Sequence, residues 1–249
     1  HDALPIFQEE VLRAGSSWIF TSATLTVDHS FEHFVQRMGI TQAQQLILDS
    51  PFDYARQSVL WVPRQLPDTA DPRRGERLAL QLLPVMNTIP GGIFFLCTSY
   101  QSLRQVAEVF SRELGRRILV QGDDNKQRLL QEFVDNGRAV LVATASFWEG
   151  VDVRGEALSC VVIDKLPFTA PDDPLLKARI DDCRLQGGEP FSQLQLPDAV
   201  ISLKQGVGRL IRDINDRGVL ILCDPRLVNR PYGATFIHSL PAMPRTRDA

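Results

Sequence analysis

The stretch GGIFFLCTSYQSLRQVAEVFSREL, residues 91–114, decides the fold. Its apolar run IFFLC has the length and composition of a strand that is buried on both faces. The segment SLRQVAEVFSREL spaces its apolar residues as a helix does, and Ser99 or Ser102 can cap that helix. A buried strand that leads into a helix is typical of a parallel sheet covered by helices on both faces.

The same unit recurs along the chain. RILVQ precedes a helical stretch that ends at Gly137, and AVLVAT, LSCVVID and GVLILCD supply further apolar runs. The sequence therefore predicts a three-layer α/β domain with a mostly parallel central sheet. Before residue 91 it predicts one strand at residues 18–21, a helix at residues 31–38 and a surface loop at residues 63–75.

Composition limits the classes of function. A chain of 249 residues that is 44% hydrophobic can bury a full core, and we expect one large domain. The net charge of −3 provides no global basic field, so any binding of nucleic acid must use a local surface. The apolar runs are far shorter than the roughly 20 residues that span a bilayer. We expect a soluble, intracellular protein that does not enter membranes.

The cysteines and histidines predict no metal site. Cys97, Cys160, Cys183 and Cys223 are far apart and form no C-x-x-C pair, so their spacing encodes neither a zinc site nor an iron–sulfur cluster. We expect buried thiols in a reducing compartment. His29 and His33 are spaced for one helix face, but no third ligand lies nearby in the sequence.

The stretch LKQGVGRLIRD, residues 203–213, carries an unusual polar pattern. On a helix, its apolar residues form one stripe, which comprises Leu203, Val207, Leu210, Ile211 and Ile214. Gln205, Arg209 and Arg212 gather on the other side, where Gly206 and Gly208 leave the backbone bare. A solvated helix face is the ordinary explanation of a polar stripe, but such faces favour good helix formers rather than paired glycines. Two arginines on one face suit a phosphate, and we favour that interpretation.

QGVGRLIR resembles motif VI of superfamily-two helicases. The resemblance implies that Arg212 is an arginine finger, that Arg209 is a second contact to the γ-phosphate of ATP, and that Gln205 is a positioning residue. In phosphoryl transfer an arginine finger contributes a factor of about 10³ to 10⁵ in rate.

TASFWEGVDVRGEAL, residues 144–158, follows the strand AVLVA and resembles motif V of the DinG and XPD type. The resemblance implies that Glu149, Gly150 and Asp152 line the nucleotide side of a cleft. It also implies that Thr144 and Ser146 face the backbone of a nucleic acid. For Trp148, stacking on a base and packing in the core both remain open.

Two further stretches extend the similarity. FFLCTSY resembles motif IV, in which Thr98 and Ser99 offer hydroxyls to phosphate oxygens and Tyr100 offers a ring to a base. TSATL, residues 21–25, resembles motif III, which couples nucleotide state to strand binding. The ordered series III to VI covers residues 5–227 and resembles the DinG/XPD-type superfamily-two DNA helicases, above all their bacterial DinG-like branch.

Two elements of such helicases are missing from this sequence. It contains no G-x-x-x-x-G-K-[ST] phosphate loop and no D-E-A-H-type carboxylate pair. We therefore expect the second RecA-like motor domain of a 5′–3′ helicase in DNA repair or replication, which hydrolyses no ATP alone. The resemblance implies that ATP and Mg²⁺ are bound mainly by the first motor domain in cis. It also implies single-stranded DNA across both domains and a [4Fe–4S] cluster only outside this chain.

The end of the chain differs from the rest, because its sequence loses periodicity after Asp224. We predict a motor domain at residues 1–227 and a tail at residues 228–249, although residues 1–20 could also belong to the partner domain. The tail HSLPAMPRTRDA is proline-containing and weakly basic, so it suits docking on another protein, with a frayed terminus as the alternative. The resemblance implies the chi subunit of DNA polymerase III as partner, and Arg245 and Thr246 are the predicted contacts.

Overall fold

The computed structural model describes residues 17–40, 42–144 and 157–248, together with Glu9 and Phe147. Its centre is a seven-stranded sheet in which every pairing is parallel and the strand order is β3-β4-β2-β5-β6-β1-β7. The strands are β1 (Ser58–Trp61), β2 (Gly92–Cys97), β3 (Ile118–Val120), β4 (Val140–Thr144), β5 (Leu158–Ile163), β6 (Gly218–Leu222) and β7 (Arg245–Thr246). The predicted α/β class and parallel sheet are confirmed.

Helices connect the strands. They are α1 (Glu32–Met38), α2 (Tyr54–Gln57), α3 (Arg74–Thr88), α4 (Tyr100–Glu113), α5 (Lys126–Asn136), α6 (Pro174–Leu185), α7 (Leu196–Val207), α8 (Arg226–Asn229) and α9 (Gly233–Ser239). A π-helical turn, Phe191–Gln195, leads directly into α7. None of the helices in the described ranges is both long and apolar enough to cross a membrane.

Alternation along β2 divides the core into two layers. Phe94 and Leu96 pack into the apolar cluster beneath α5, α7 and α9, whereas Phe95 and Cys97 pack into the cluster beneath α3 and α4. Successive side chains of a strand point to opposite faces, so a strand covered on both sides must be apolar throughout. All six residues of β2 are buried, which explains why its sequence shows no polar alternation.

The predicted start of α4 and the predicted end of α5 are confirmed. The Ser99 side chain accepts a hydrogen bond from the backbone N–H of Ser102, so Ser99 is the residue that caps α4. Gly137 ends α5 with φ of 67°, a conformation that favours glycine. The predicted helix before residue 40 is present as α1.

The predicted strand at residues 18–21 is wrong, because residues 17–20 have no regular secondary structure. Its aromatic residues pack with one another and with α1 instead of joining the sheet. The rings of Trp18 and Phe20 are 6.3 Å apart, and Phe20 lies 5.6 Å from Phe34. Ile19 remains 85% exposed, as expected of a segment outside the core.

The segment predicted to be an aperiodic tail is folded onto the domain. Within residues 228–248 the chain forms α9 and then β7, which pairs with β1 at the edge of the sheet. Phe236, Leu240 and Met243 are buried in the core. A seven-residue helix followed by a two-residue strand is too short to show a clear period in the sequence, so the pattern was misleading.

Gly92 tests the packing of β2 against its neighbours. A Cβ at this position would lie 2.3 Å from the carbonyl oxygen of Ala157 and 2.4 Å from Cζ of Phe133. We expect Gly92→Ala to lower the free energy of unfolding by about 1–3 kcal/mol or more, because a backbone atom cannot move aside cheaply. Gly115→Ala is the matched control, since its Cβ would meet nothing within 4 Å. Equal stabilities of the two variants in urea unfolding would contradict this packing.

Candidate nucleic-acid and nucleotide interface

Polar side chains gather where the central strands end. Thr98, Ser99 and Tyr100 follow β2, Gln121 follows β3, and Thr144 is the last residue of β4. Strands β3, β4 and β2 are neighbours in the sheet, so these residues share one edge. The carboxyl ends of parallel strands are where open sheets bind ligands. The structure therefore brings together the described residues that were predicted to contact nucleic acid.

Gln121 joins the members of this group. Its side-chain Oε1 accepts hydrogen bonds from the backbone N–H of Thr144 at 2.7 Å and from the Thr144 hydroxyl at 2.9 Å. Its Nε2 donates to the hydroxyl of Tyr100 at 3.3 Å. Tyr100 is 57% exposed, so its hydroxyl is anchored while much of the residue meets solvent. Gln121 was not predicted as a site residue, although its place at the end of the strand RILVQ is a signal.

Asp164, directly after β5, fixes the turn that carries Thr98 and Ser99. Its carboxylate is fully buried and accepts from the backbone N–H of Thr98 and from the hydroxyl of Ser102, both at 2.9 Å. Burial raises the pKa of Asp164, while these hydrogen bonds and the nearby Lys165 and Arg74 act in the opposite direction.

A buried arginine binds backbone carbonyl groups at the same edge of the sheet. Arg74, the first residue of α3, is 2% exposed, and its guanidinium donates to the carbonyl oxygens of Asp164, Cys223 and Pro67. These carbonyls follow β5, β6 and β1, respectively. One guanidinium thus satisfies backbone acceptors on three segments, which suits its rigid fork of donors.

An aromatic group lies beyond β6. Arg226 forms a two-pronged ion pair with the buried Asp224, with Nε 3.0 Å from Oδ1 and Nη2 2.6 Å from Oδ2. The same guanidinium lies 5.2 Å from the centre of the Phe168 ring. Phe168 in turn contacts three further aromatic rings, those of Phe191, Tyr232 and Phe236. This arrangement holds Phe168 at the end of KLPF, residues 165–168, and was not predicted.

The helix predicted at residues 203–214 is wrong in its second half, because α7 ends at Val207. Residues 208–213, which we call the arginine turn, leave the helix, so Gln205, Arg209 and Arg212 do not share one helical face. Gly206 and Gly208 favour this end through their poor helix propensity. The Asp216 carboxylate accepts from the backbone N–H groups of Arg212 and Asp213 at 2.8 and 2.9 Å.

Most of the apolar positions predicted for residues 203–214 are buried. Leu203, Val207, Leu210 and Ile211 are buried as expected, whereas Ile214 is 71% exposed. Among the polar residues, Gln205 is exposed on the last turn of α7, and Arg209 and Arg212 are half-buried. Gly208 is exposed but Gly206 is buried, so only one glycine leaves bare backbone at the surface.

The arginine turn lies at the opposite edge from Thr98. The Gln57 side chain, which directly precedes β1, donates to the carbonyl oxygens of Asp213 at 2.7 Å and Asp216 at 3.1 Å. Leu210 packs against Gly218, the first residue of β6. The turn is therefore held at the amino ends of β1 and β6. A strand of five residues, such as β6, is about 16 Å long, so the turn lies about this far from the carboxyl edge.

Part of the predicted site lies outside the described residues. Ser146, Trp148, Glu149, Gly150 and Asp152 belong to this part. Thr144 is described and is 8% exposed at the end of β4. Phe147 is buried, and the Lys126 ammonium lies 5.2 Å from the centre of its ring.

The four cysteines do not fit a cluster site. Cys97, Cys160 and Cys223 are buried, and burial raises the pKa of each of these thiols, which favours the protonated form. Cys183 is half-buried on α6. Within the described ranges, no three His, Cys, Asp or Glu residues are grouped so that they could hold a metal ion.

Comparison with known proteins gives concordant matches. The family model of the helicase C-terminal domain matches residues 82–243. ATP-dependent DNA helicase YoaA of Escherichia coli is 60% identical over 97% of this chain, which spans 38% of YoaA. The protein named 3′-5′ exonuclease DinG of Bacillus subtilis is 33% identical over 91% of this chain and 25% of its own length.

A solved structure shares the fold. Xpd4 of S. tokodaii superposes with a TM-score of 0.67 at 17% identity, covering 96% of this chain and 46% of that chain. The chain thus spans less than half the length of each of these proteins.

Substitutions of Asp164 test how much its hydrogen bonds at the carboxyl edge contribute to stability. Asparagine can still accept from Thr98 and can donate to the Ser102 hydroxyl, whereas alanine leaves both groups without their partner. We expect Asp164→Ala to lose about 1–3 kcal/mol more of the free energy of unfolding than Asp164→Asn, measured by urea unfolding at pH 7.

The difference in stability between the wild type and Asp164→Asn should depend on pH, and its sign follows from the pKa of Asp164. Because the pKa of Asp164 is raised in the folded protein, its favourable contribution is present below the ordinary aspartate pKa and is lost as pH rises through the raised value. The wild type should therefore gain stability relative to Asp164→Asn as pH falls. An opposite trend would show that hydrogen bonding to the carboxylate outweighs its burial.

Proposed function

The chain belongs to the helicase C-terminal domain family, of the DinG/XPD type, and on that premise we propose that it is the second motor domain of an ATP-dependent 5′–3′ DNA helicase. We place the whole enzyme in DNA repair or replication. The observation that carries the proposal is the pair of polar groups at opposite edges of one parallel sheet. The carboxyl edge offers hydroxyls and an exposed ring, and the amino edge offers two arginines on a fixed turn.

The carboxyl edge is proposed to be part of the track for single-stranded DNA. Thr98 and Ser99 are exposed hydroxyls beside the start of α4, and hydroxyl groups suit phosphate oxygens. Tyr100 offers an exposed ring, and base–aromatic stacking contributes about 1–3 kcal/mol per base. Thr144 supports the same edge through Gln121, and Ser146 is proposed as a further contact.

The arginine turn is proposed to act on the nucleotide. Arg212 is the proposed arginine finger, Arg209 the second γ-phosphate contact and Gln205 a positioning residue. Asp216 holds the backbone of the turn and Gln57 holds its carbonyls, so the guanidinium groups start from a fixed base. Such preorganisation matters because the protein contributes mainly positioning and charge neutralisation in phosphoryl transfer.

The remaining components are proposed from family membership. ATP with Mg²⁺ would supply the free energy that drives the movement of the two motor domains. It would be held mainly by the first motor domain in cis. Glu149, Gly150 and Asp152 are proposed to line the cleft on the side of this chain. The [4Fe–4S] cluster is assigned outside this chain, because the cysteines here are buried or dispersed. On this proposal the chain alone is inactive as an ATP hydrolase.

Arg212→Ala in the full-length protein is the test of the nucleotide role. We expect kcat of DNA-stimulated ATP hydrolysis to fall by about 10³ or more, because an arginine finger acts mainly in the transition state. Single-stranded DNA binding, measured by fluorescence anisotropy, should change little.

Arg184→Ala is the control, because this exposed arginine on α6 lies outside the proposed site. The chain expressed alone gives the baseline rate. Equal losses of kcat and DNA affinity in Arg212→Ala would assign this residue to the DNA site. Robust ATP hydrolysis by the isolated chain would refute the proposal that ATP is held mainly by the first motor domain.

A second candidate function is docking of another protein on β7. This strand is at the edge of the sheet, and its Pro244 and Thr246 carbonyls accept from the N–H groups of Leu60 and Val62. By alternation, the backbone groups of Arg245 face the open edge, where a strand of a partner can add. We propose the chi subunit of DNA polymerase III as that partner, with Arg245 and Thr246 as contacts.

The docking proposal is tested by a charge reversal. We expect Arg245→Glu to weaken binding of the purified chi subunit by about tenfold or more, whereas Arg247→Glu, two residues further along, should have a smaller effect. Biolayer interferometry with the full-length protein measures both. Unchanged binding by Arg245→Glu would exclude β7 as the docking site.

A further inference from the structure

A lysine on α7 bonds directly to the segment that contains TSATL. We call residues 21–26 the hydroxyl segment, because they include Thr21, Ser22, Thr24 and Thr26. The ammonium of Lys204 donates to the Thr26 carbonyl oxygen at 2.8 Å and contacts the Thr26 hydroxyl at 3.2 Å. Lys204 directly precedes Gln205 and lies within four residues of the arginine turn. One side chain therefore links two polar segments that are about 180 residues apart in the sequence.

The other end of α7 is attached to the same part of the chain. Asp198, in the first turn of α7, accepts from Arg37 at 2.6 Å and lies 3.2 Å from Nε2 of His33. The other ring nitrogen of His33 lies 3.2 Å from the carbonyl oxygen of Gln193. Helix α1 is thus held beside the start of α7, while Thr26 is held near its end.

The backbone that follows Thr26 is also fixed. Val27 and Ser30 exchange two backbone hydrogen bonds at 3.0 and 2.9 Å across a tight turn. Asp28 and His29 in this turn have φ of 47° and 62°, and the N–H of Asp28 donates to the Ser239 hydroxyl at 2.8 Å. The hydroxyl segment therefore emerges from a rigid base, and its last residue is the one that Lys204 contacts.

The contact is not explained by stability alone. Lys204 is half-buried, and burial lowers the pKa of its ammonium, which means that withdrawal from water opposes the charge. This withdrawal offsets part of the free energy that the hydrogen bonds to Thr26 supply, and because Thr26 is itself half-buried, water can replace the lost donor. A methionine in this place should keep the packing of the side-chain stem and remove only the donor.

We infer that Lys204 is a positioning residue, which ties the end of α7 and the arginine turn to the hydroxyl segment. This inference rests on the proposed function, because it assigns the arginine turn a task that depends on its position. Misplacement of catalytic groups by about 1 Å can cost a factor of about 10² in rate, so a lost tether should appear in kcat rather than in the fold.

The experiment compares three variants of the full-length protein with the wild type. Lys204→Met removes the donor, Lys204→Arg keeps a cation that can reach the Thr26 carbonyl, and Lys177→Met removes an exposed lysine of α6 as the control. For each we measure Tm, the dissociation constant for single-stranded DNA, and kcat and KM of DNA-stimulated ATP hydrolysis.

We expect Lys204→Met to lower kcat by about tenfold or more, with KM, DNA affinity and Tm close to those of the wild type. Lys204→Arg should recover at least about half of the activity, and Lys177→Met should behave as the wild type. If Lys204→Met keeps its kcat, or loses Tm and DNA affinity together with kcat, Lys204 has no specific positioning role.

Amide hydrogen exchange separates this inference from the proposed function, because it requires no activity. We expect Lys204→Met, but not Lys177→Met, to speed exchange by at least about threefold in peptides that cover residues 21–30 and 206–213. Faster exchange together with a wild type that hydrolyses no ATP would support the tether and refute the helicase proposal. Unchanged exchange would overturn the tether even if the wild type is an active helicase.

Discussion

The buried carboxylate of Asp164 is the constraint on which the carboxyl edge depends. A charge without access to water is tolerated only when hydrogen bonds and opposite charges surround it. Asp164 meets this condition by binding the turn after β2 and by lying beside Arg74, whose guanidinium holds the carbonyls that follow three strands. The same bonds that satisfy the charge therefore set the positions of Thr98 and Ser99. Stability and the geometry of the candidate DNA surface have one physical origin here.

The two polar groups of the domain are fixed to opposite ends of one rigid sheet. The carboxyl edge is ordered by Asp164 and Gln121, and the arginine turn is ordered by Asp216 and Gln57. Helix α7, which ends directly before the arginine turn, has 12 residues and is about 18 Å long. Because parallel strands that are buried on both faces deform little, a movement of one edge moves the other with it. Such a block suits the proposed motor, in which one domain moves as a unit against another.

The sequence was most informative where local pattern and tertiary burial agree. Strand β2 and residues 140–143 of β4 are apolar because both faces are covered, and the sequence contains the residue that caps the start of α4 and the one that ends α5. Gln121 and Asp164 were missed because their partners lie 23 and 62 to 66 residues away. A lone polar residue at a strand end carries no local signal of the group that it will bind. The folding of residues 233–246 was missed for a related reason, since β7 is defined by pairing with β1 rather than by its own residues.

The error in residues 203–214 shows what the glycines of QGVGR do. The apolar positions Leu203, Val207, Leu210 and Ile211 keep helical spacing because the turn after Val207 continues to pack on the same core. Periodicity alone cannot distinguish such a turn from a helix. Gly206 is buried and Gly208 ends the helix, so the glycines serve mainly to stop α7 rather than to expose its backbone. Ending the helix frees Arg209 and Arg212 from the fixed angle of about 100° per residue. Their placement then depends on Asp216 and the core, which is a stricter constraint than helical geometry for two groups that are proposed to reach one ligand.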